Sequence, residues 1–173
     1  TQGARFLVNT TYEQSQENPA VAATDDGGFV AIWSVWDQDG SENGIFGQIF
    51  NSDGQPVGTE FNVNSYTSGN QERPSVAVLN DSSFVVTWES RDQDGNDWGV
   101  FGRRFSAVGT SLGSEFQVNS TTEGSQERPS VTPLDDGGLL FRGVAAWPRK
   151  GTISACGRPQ LRGVANSSGN CRG

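Results

Sequence analysis

The chain has 173 residues with 12 basic and 20 acidic side chains, and its net charge of -8 excludes a nucleic-acid partner held through phosphates. It has no His, so the Ser/His/Asp and Cys/His pairs of nucleophilic catalysis cannot be assembled, and no apolar run nears the roughly 18 residues of a membrane span. Rich in Gly and Asn, with five Trp and ten Phe, the composition suits many short strands joined by tight turns.

In chain order, the first predicted strand is Phe6–Asn9, followed by Ala20–Thr24, Phe29–Ser34 and Ile45–Phe50. Phe29-Val-Ala-Ile-Trp33 is β-branched and aromatic, and too short and closely bounded to be a helix. Asp25-Asp-Gly-Gly28 reads as a hairpin turn, because Gly accepts the positive φ that such turns need. Asn51-Ser-Asp-Gly54 is a second turn.

The pattern then repeats without a gap. Phe6-Leu-Val-Asn9 returns as Phe61-Asn-Val-Asn64 and again as Phe116-Gln-Val-Asn119. Pro19, Pro74 and Pro129 keep the same step, as do Trp33 and Trp88, and Asp37-Gln-Asp-Gly40 and Asp92-Gln-Asp-Gly95. A fixed period of this size marks a repeat architecture. The organisation is two and a half units, 6–60, 61–115 and 116–139, each of four short antiparallel strands. The expected fold is all-β, of tandem four-stranded units resembling β-propeller blades, with a β-sandwich or an open β-solenoid as the alternatives. Trp33, Trp88, Phe50 and Phe105 are its expected core. Three blades cannot close a propeller, which implies a longer parent chain or an assembly. Thr1 stands a few residues before a repeat, without initiator Met or signal peptide, so the chain reads as a processed form or fragment.

After Asp135-Asp-Gly-Gly138 the pattern breaks. Residues 140–173 hold six basic and no acidic side chains, whereas the preceding 139 hold all twenty acidic ones. A terminal cap or a slip of reading frame accounts for the break, and the abrupt loss of acidity favours the slip. Cys156 and Cys171, the only cysteines, both fall in this tail; they could pair but cannot form a zinc site alone.

Positions kept between copies should serve the fold, and those that differ are freer to serve a ligand. The Asp37, Asp39 and Asp92, Asp94 loops place carboxylates at i and i+2 before a Gly, an arrangement able to wrap calcium, with Asp97 as an added ligand. The competing reading is a solvated turn. Trp36 and Trp98 fall outside the repeated core and are expected beside these loops, where they could stack on a sugar ring or anchor a protein. Glu72-Arg73 and Glu127-Arg128 each precede a Pro, which should hold the preceding residue extended; their charges are expected to pair with each other or satisfy backbone groups. Paired carboxylates can hydrolyse glycosides, but the close pairs here recur in each copy, as an active site seldom does.

The pattern Phe-x-Val-Asn, Gln-x-x-Pro, Phe-Val-x-x-Trp and Phe-Gly-x-x-Phe over residues 6–139 resembles tandem repeats of large secreted bacterial proteins, many associated with RTX calcium-binding segments and type I secretion. The RTX nonapeptide itself is absent. The resemblance implies a secreted or cell-surface location; calcium as a ligand rests on Asp37, Asp39, Asp92 and Asp94 alone, and an extracellular carbohydrate or cell-surface protein is the expected partner. The resulting expectation is a non-catalytic region for binding or adhesion. Its alternatives are an accessory portion of an exported hydrolase or toxin whose catalytic module lies elsewhere, or a plain structural spacer.

Overall fold

The computed structural model describes residues 5–11, 13–135, 137–146 and 151–157, with residues 146 and 151–157 as backbone alone. Among them are eleven strands and no helix: β1 (Gln16–Ala23), β2 (Phe29–Trp36), β3 (Asn43–Phe50), β4 (Pro56–Asn62), β5 (Gln71–Val78), β6 (Phe84–Arg91), β7 (Trp98–Phe105), β8 (Phe116–Gln117), β9 (Ser125–Pro133), β10 (Leu139–Ala146) and β11 (Gly151–Gly157). They form three antiparallel sheets, ordered β1-β2-β3-β4, β5-β6-β7-β8 and β11-β10-β9. The tandem four-stranded β units expected from the sequence are present in the first two sheets.

The repeat step is reproduced in the hydrogen-bond ladders. Phe29 faces Phe50 and Trp33 faces Phe46; one step on, Phe84 faces Phe105 and Trp88 faces Phe101. The β1–β2 turn closes with Thr24 N–H on the Gly28 carbonyl at 3.0 Å and Gly27 N–H on the Thr24 carbonyl at 3.1 Å. The central strands reading FVAIWSVW and FVVTWESR are buried along almost their whole length, and the second sheet is covered on both faces. Val30, Ile32, Ile45 and Ile49 of the first sheet pack on Phe84, Val86, Trp88, Phe101 and Phe105 of the second. The opposite face of the second sheet, at Ala77, Leu79 and Val85, packs on Val131, Leu139 and Phe141 of the third. The expected core residues Trp33, Trp88, Phe50 and Phe105 are all buried.

The sheets are offset from repeats drawn at Phe6, Phe61 and Phe116. Phe61 and Asn62 close the first sheet as the end of β4, and Phe116–Gln117 closes the second as β8. The Phe61 ring nevertheless crosses to the next sheet, lying 6.2 Å from Phe84 and 5.5 Å from Phe105, centroid to centroid. One residue is thus hydrogen-bonded in one sheet and packed in the next, which ties consecutive units together. Gly47 and Gly102 make room for it: a Cβ would lie 2.9 Å from Phe61 Cζ at the first and 2.8 Å from Phe116 Cζ at the second. The expected strand Phe6–Asn9 does not form. The Phe6 ring makes the same kind of contacts, 6.3 Å to Phe29 and 5.6 Å to Phe50, but among the described residues no strand edge lies beside it to complete a ladder.

Strand order continues past residue 139 although the repeated sequence does not. β10 lies one repeat step after β6 and meets β9 in the matching register, with Leu139 opposite Pro133 as Phe84 is opposite Val78. Leu139 and Phe141 supply apolar side chains to the seam with the second sheet. The side chain of Cys156, Cys171 and the rest of the tail beyond Gly157 lie outside the described residues.

Candidate functional site at the seam of the second and third sheets

The aspartate loops connect β2 to β3 and β6 to β7, and both start with a left-handed residue, Asp37 at φ 56° and Asp92 at φ 59°. Their second aspartates are already engaged. Asn64 Nδ2 donates to Asp39 Oδ2 at 3.0 Å, to the Tyr66 carbonyl at 3.0 Å and to Gln71 Oε1 at 3.1 Å, while its Oδ1 accepts the Ile45 N–H at 2.7 Å. Asn119 repeats this with Asp94 at 2.9 Å, Thr121, Gln126 and the Val100 N–H. Asn64, Asn119, Gln71 and Gln126 are buried. Asp97 accepts a hydrogen bond from the Ser125 hydroxyl, latching its loop to the start of β9. Among the described residues no three Asp, Glu, His or Cys side chains gather in a group able to hold a metal ion. The buried Asn–Gln hub was legible in the sequence as Asn9, Asn64, Asn119 and Gln16, Gln71, Gln126, kept at the same step.

Trp36 ends β2 opposite Asn43, and Trp98 begins β7 opposite Arg91, so each stands at the mouth of an aspartate loop as expected. Trp36 is exposed and Trp98 half-buried, and they belong to different sheets.

The strongest departure from expectation lies before each proline. Asn18, Arg73 and Arg128 are not extended; they take φ of 51°, 48° and 54°, at the irregularities in the β1–β2, β5–β6 and β9–β10 pairings. A bulge inserts unpaired backbone into one strand and turns it, and here the left-handed residue makes that turn. The proline rule therefore loses to the bulge. In the first two sheets the strained non-glycine residue is held by the side chain that faces it. In the first sheet it is Ser34, whose hydroxyl accepts from Asn18 Nδ2 at 3.2 Å and donates to the Glu17 carbonyl at 3.0 Å.

In the second sheet the same position is Glu89. Its side chain is wholly buried, pairs with Arg73 Nη1 at 2.9 Å and accepts the backbone N–H of Arg128 from the third sheet. Arg73 therefore pairs with Glu89 rather than with its neighbour Glu72. Burial pushes the Glu89 carboxyl above the usual carboxylate range, against the opposing pull of the Arg128 N–H and Arg73. The Arg73 guanidinium is raised chiefly by Glu89, with Glu72 and Glu127 adding to it. Half-buried Glu72 is held by Asn43 Nδ2 at 3.1 Å. Two residues before Glu89 on β6, on the same face of that strand, the buried Thr87 hydroxyl has no hydrogen-bond partner. Sequence reasoning passed over Glu89; its signal was that Ser34 and Val144 occupy its place in the other copies.

No protein-family model matches the chain. No curated protein matches it in sequence. Solved structures do. An endo-arabinase from Bacteroides thetaiotaomicron superimposes on 87% of this chain and 60% of its own, at TM-score 0.54 and 14% identity. An α-L-arabinofuranosidase from Lactobacillus brevis covers 86% of this chain and 54% of its own, at TM-score 0.57 and 13% identity. An endo-1,4-β-xylanase from Bacteroides thetaiotaomicron covers 89% and 57%, at TM-score 0.57 and 12% identity. The chain thus spans little more than half the length of these enzymes, and the likeness is one of fold. It corrects the expectation of a non-catalytic binding or adhesion region, since the fold is shared with carbohydrate-active enzymes. It corrects the alternative of an accessory portion beside a separate catalytic module as well, because the enzymes superimpose on the repeats themselves.

Proposed function

We propose that the chain is part of a carbohydrate-active enzyme that hydrolyses glycosidic bonds in a polysaccharide such as arabinan or xylan. The observation that carries this reading is the fold likeness over 86–89% of the chain to an endo-arabinase, an arabinofuranosidase and a xylanase. Glycoside hydrolysis needs one carboxylic acid to protonate the departing oxygen and one carboxylate to activate water or attack the anomeric carbon. Glu72 and Glu127 are suited to those roles: they hold equivalent positions on β5 and β9, which pack together, and neither is fully buried. Unlike the loop aspartates, they share a seam whose third carboxylate, Glu89, is not repeated. Glu89 is a positioning residue, fixing the bulge of each strand. In this reading the sheets are blades of a propeller with β1, β5 and β9 as neighbouring first strands, and a large polysaccharide substrate suits a location outside the cell.

The test is release of reducing ends from linear arabinan and from xylan by the purified chain. Release from at least one polymer is expected, and its abolition in the Glu72→Gln/Glu127→Gln double variant. A folded chain inert on both polymers would contradict the reading.

A further inference from the structure

We infer that segment 6–9 is a docking strand, held on the first sheet with its outer edge open to the third strand of another unit of this repeat. Its two counterparts show what such a segment does. Phe61 and Asn62 lie opposite Gly47 and Phe46 of β3, and Phe116 and Gln117 opposite Gly102 and Phe101 of β7. The next residue donates its N–H to the same strand, Val63 to the Ile45 carbonyl and Val118 to the Val100 carbonyl, both at 2.8 Å. The asparagine that follows accepts an N–H from that strand and donates to the aspartate of the loop leading into it. Segment 6–9 occupies the same place on its own sheet. The Phe6 ring lies 6.3 Å from Phe29 and 5.6 Å from Phe50, against 6.2 Å and 5.5 Å for Phe61 on Phe84 and Phe105. Thr10 donates its N–H to Glu60 at 2.9 Å, as Ser65 does to Glu115. Asn9 Nδ2 donates to the Thr11 carbonyl at 2.6 Å and to Gln16 Oε1 at 3.1 Å, the two bonds that Asn64 makes within its own unit. The bonds to a preceding sheet, from Val8 N–H and at Asn9, find no partner among the described residues. Phe6 is therefore 53% and Leu7 76% exposed, and Asn9 is half-buried where Asn64 and Asn119 are buried.

The missing strand is specified by the contacts it must make. Glycine must stand opposite Phe6, because a Cβ at Gly47 would lie 2.9 Å from Phe61 Cζ, and one at Gly102 would lie 2.8 Å from Phe116 Cζ. Two residues earlier an N–H must meet Asn9 Oδ1, and an aspartate before that must take its Nδ2, as Ile45 and Asp39 do for Asn64. The occupant is thus a strand of the Gly-Ile/Val-Phe-Gly type, as at residues 44–47 and 99–102, with its Asp-Gly loop. A second copy of the chain does not offer one. Its β3 and β7 edges are closed by β4 and β8. The outer edge of β11 is open, but Ser154 lies opposite Arg142 there, where Gly47 lies opposite Ile32 and Gly102 opposite Thr87. In strand addition of this kind the backbone ladder supplies affinity and the side-chain fit supplies selectivity. A segment already fixed by its ring contacts and by Asn9 loses little freedom on docking.

Fluorescence anisotropy of a dye-labelled peptide of residues 37–50, titrated with the full chain, tests this. One peptide per chain is expected, displaced by excess unlabelled peptide. Gly47→Val in the peptide raises its strand propensity yet should weaken binding at least about tenfold, since the branched side chain meets the Phe6 ring. N-methylation of the peptide at Ile45 removes the N–H meant for Asn9 and should cost about tenfold, the worth of one hydrogen bond of about 1.4 kcal/mol. Both changes leave the chain untouched. Phe6→Ala and Asn9→Ala in the chain should each weaken binding about tenfold while the chain still melts cooperatively. No binding to the folded chain, equal binding of the Gly47→Val peptide, or binding indifferent to Phe6→Ala and Asn9→Ala would overturn the docking strand. Sedimentation that finds dimers of the chain alone, lost in Phe6→Ala, would overturn the occupant and assign the edge to a second copy.

Discussion

At Asn64 one side chain closes four hydrogen bonds, joining the Asp39 loop, the β3 backbone, the turn at Tyr66 and Gln71 of the next sheet. Truncating it leaves buried donors and acceptors unpaired, and Asn64→Ala should lower stability by about 2–4 kcal/mol in urea titration. Glu89 gives a pH signature. Its folded pKa is raised, so between the ordinary carboxylate value and the raised one the native state keeps a proton that the unfolded chain has released. Its contribution to stability is therefore full at the acid end and lost as pH rises through the folded value. Melting temperatures measured from about pH 4 to 8 should show this fall in the wild type and lose it in Glu89→Gln. Neither hub nor seam announces itself as a local motif. Asn64 and Gln71 were readable only through recurrence, and Glu89 only through its failure to recur.

Elements were more legible than the joints between them. β2 and β6 follow from β-branched and aromatic runs bounded by turns, and the register they share follows from the equal spacing of the copies. What sequence could not supply was pairing. Phe6–Asn9 carries the same residues as Phe61–Asn64 at its ends, yet a strand exists only where a neighbour presents an edge. Nor could it supply the bulges, because the rule that proline extends its predecessor is a local preference, and Glu89 and Ser34 override it from another strand. The β5–β6 turn offers a direct check on this local logic. Ser82 sits at φ 62° where Gly27 and Gly137 sit in the other copies. A side chain there costs roughly 1 kcal/mol, so Ser82→Gly should raise stability by about 0.5–1 kcal/mol, read as a higher melting temperature.

Across the whole molecule the repeat is a device for stacking sheets, with the Phe-x-Val-Asn segments that begin at Phe61 and Phe116 each serving two of them. Such arrays bury a continuous core through nearest-neighbour contacts. The equivalence of the copies hides function, because a site needs an exception, and the exception here is a buried carboxylate between the second and third sheets. The net negative charge and the absence of His had excluded several chemistries but said nothing in favour of glycoside hydrolysis. That reading came from the fold and from the place of Glu72 and Glu127 within it.

The most direct measurement is a nuclear magnetic resonance titration of the chain with a neutral xylo-oligosaccharide, following the Arg side-chain Nε–H, the backbone amide signals of Glu72 and Glu127 and the tryptophan indole signals. The account predicts shifts centred on Arg73 and on the backbone amides of Glu72 and Glu127, with the indoles of Trp36 and Trp98 little changed. Shifts confined to Trp36 and Trp98, with the seam silent, would contradict it and move the sugar to the mouths of the aspartate loops.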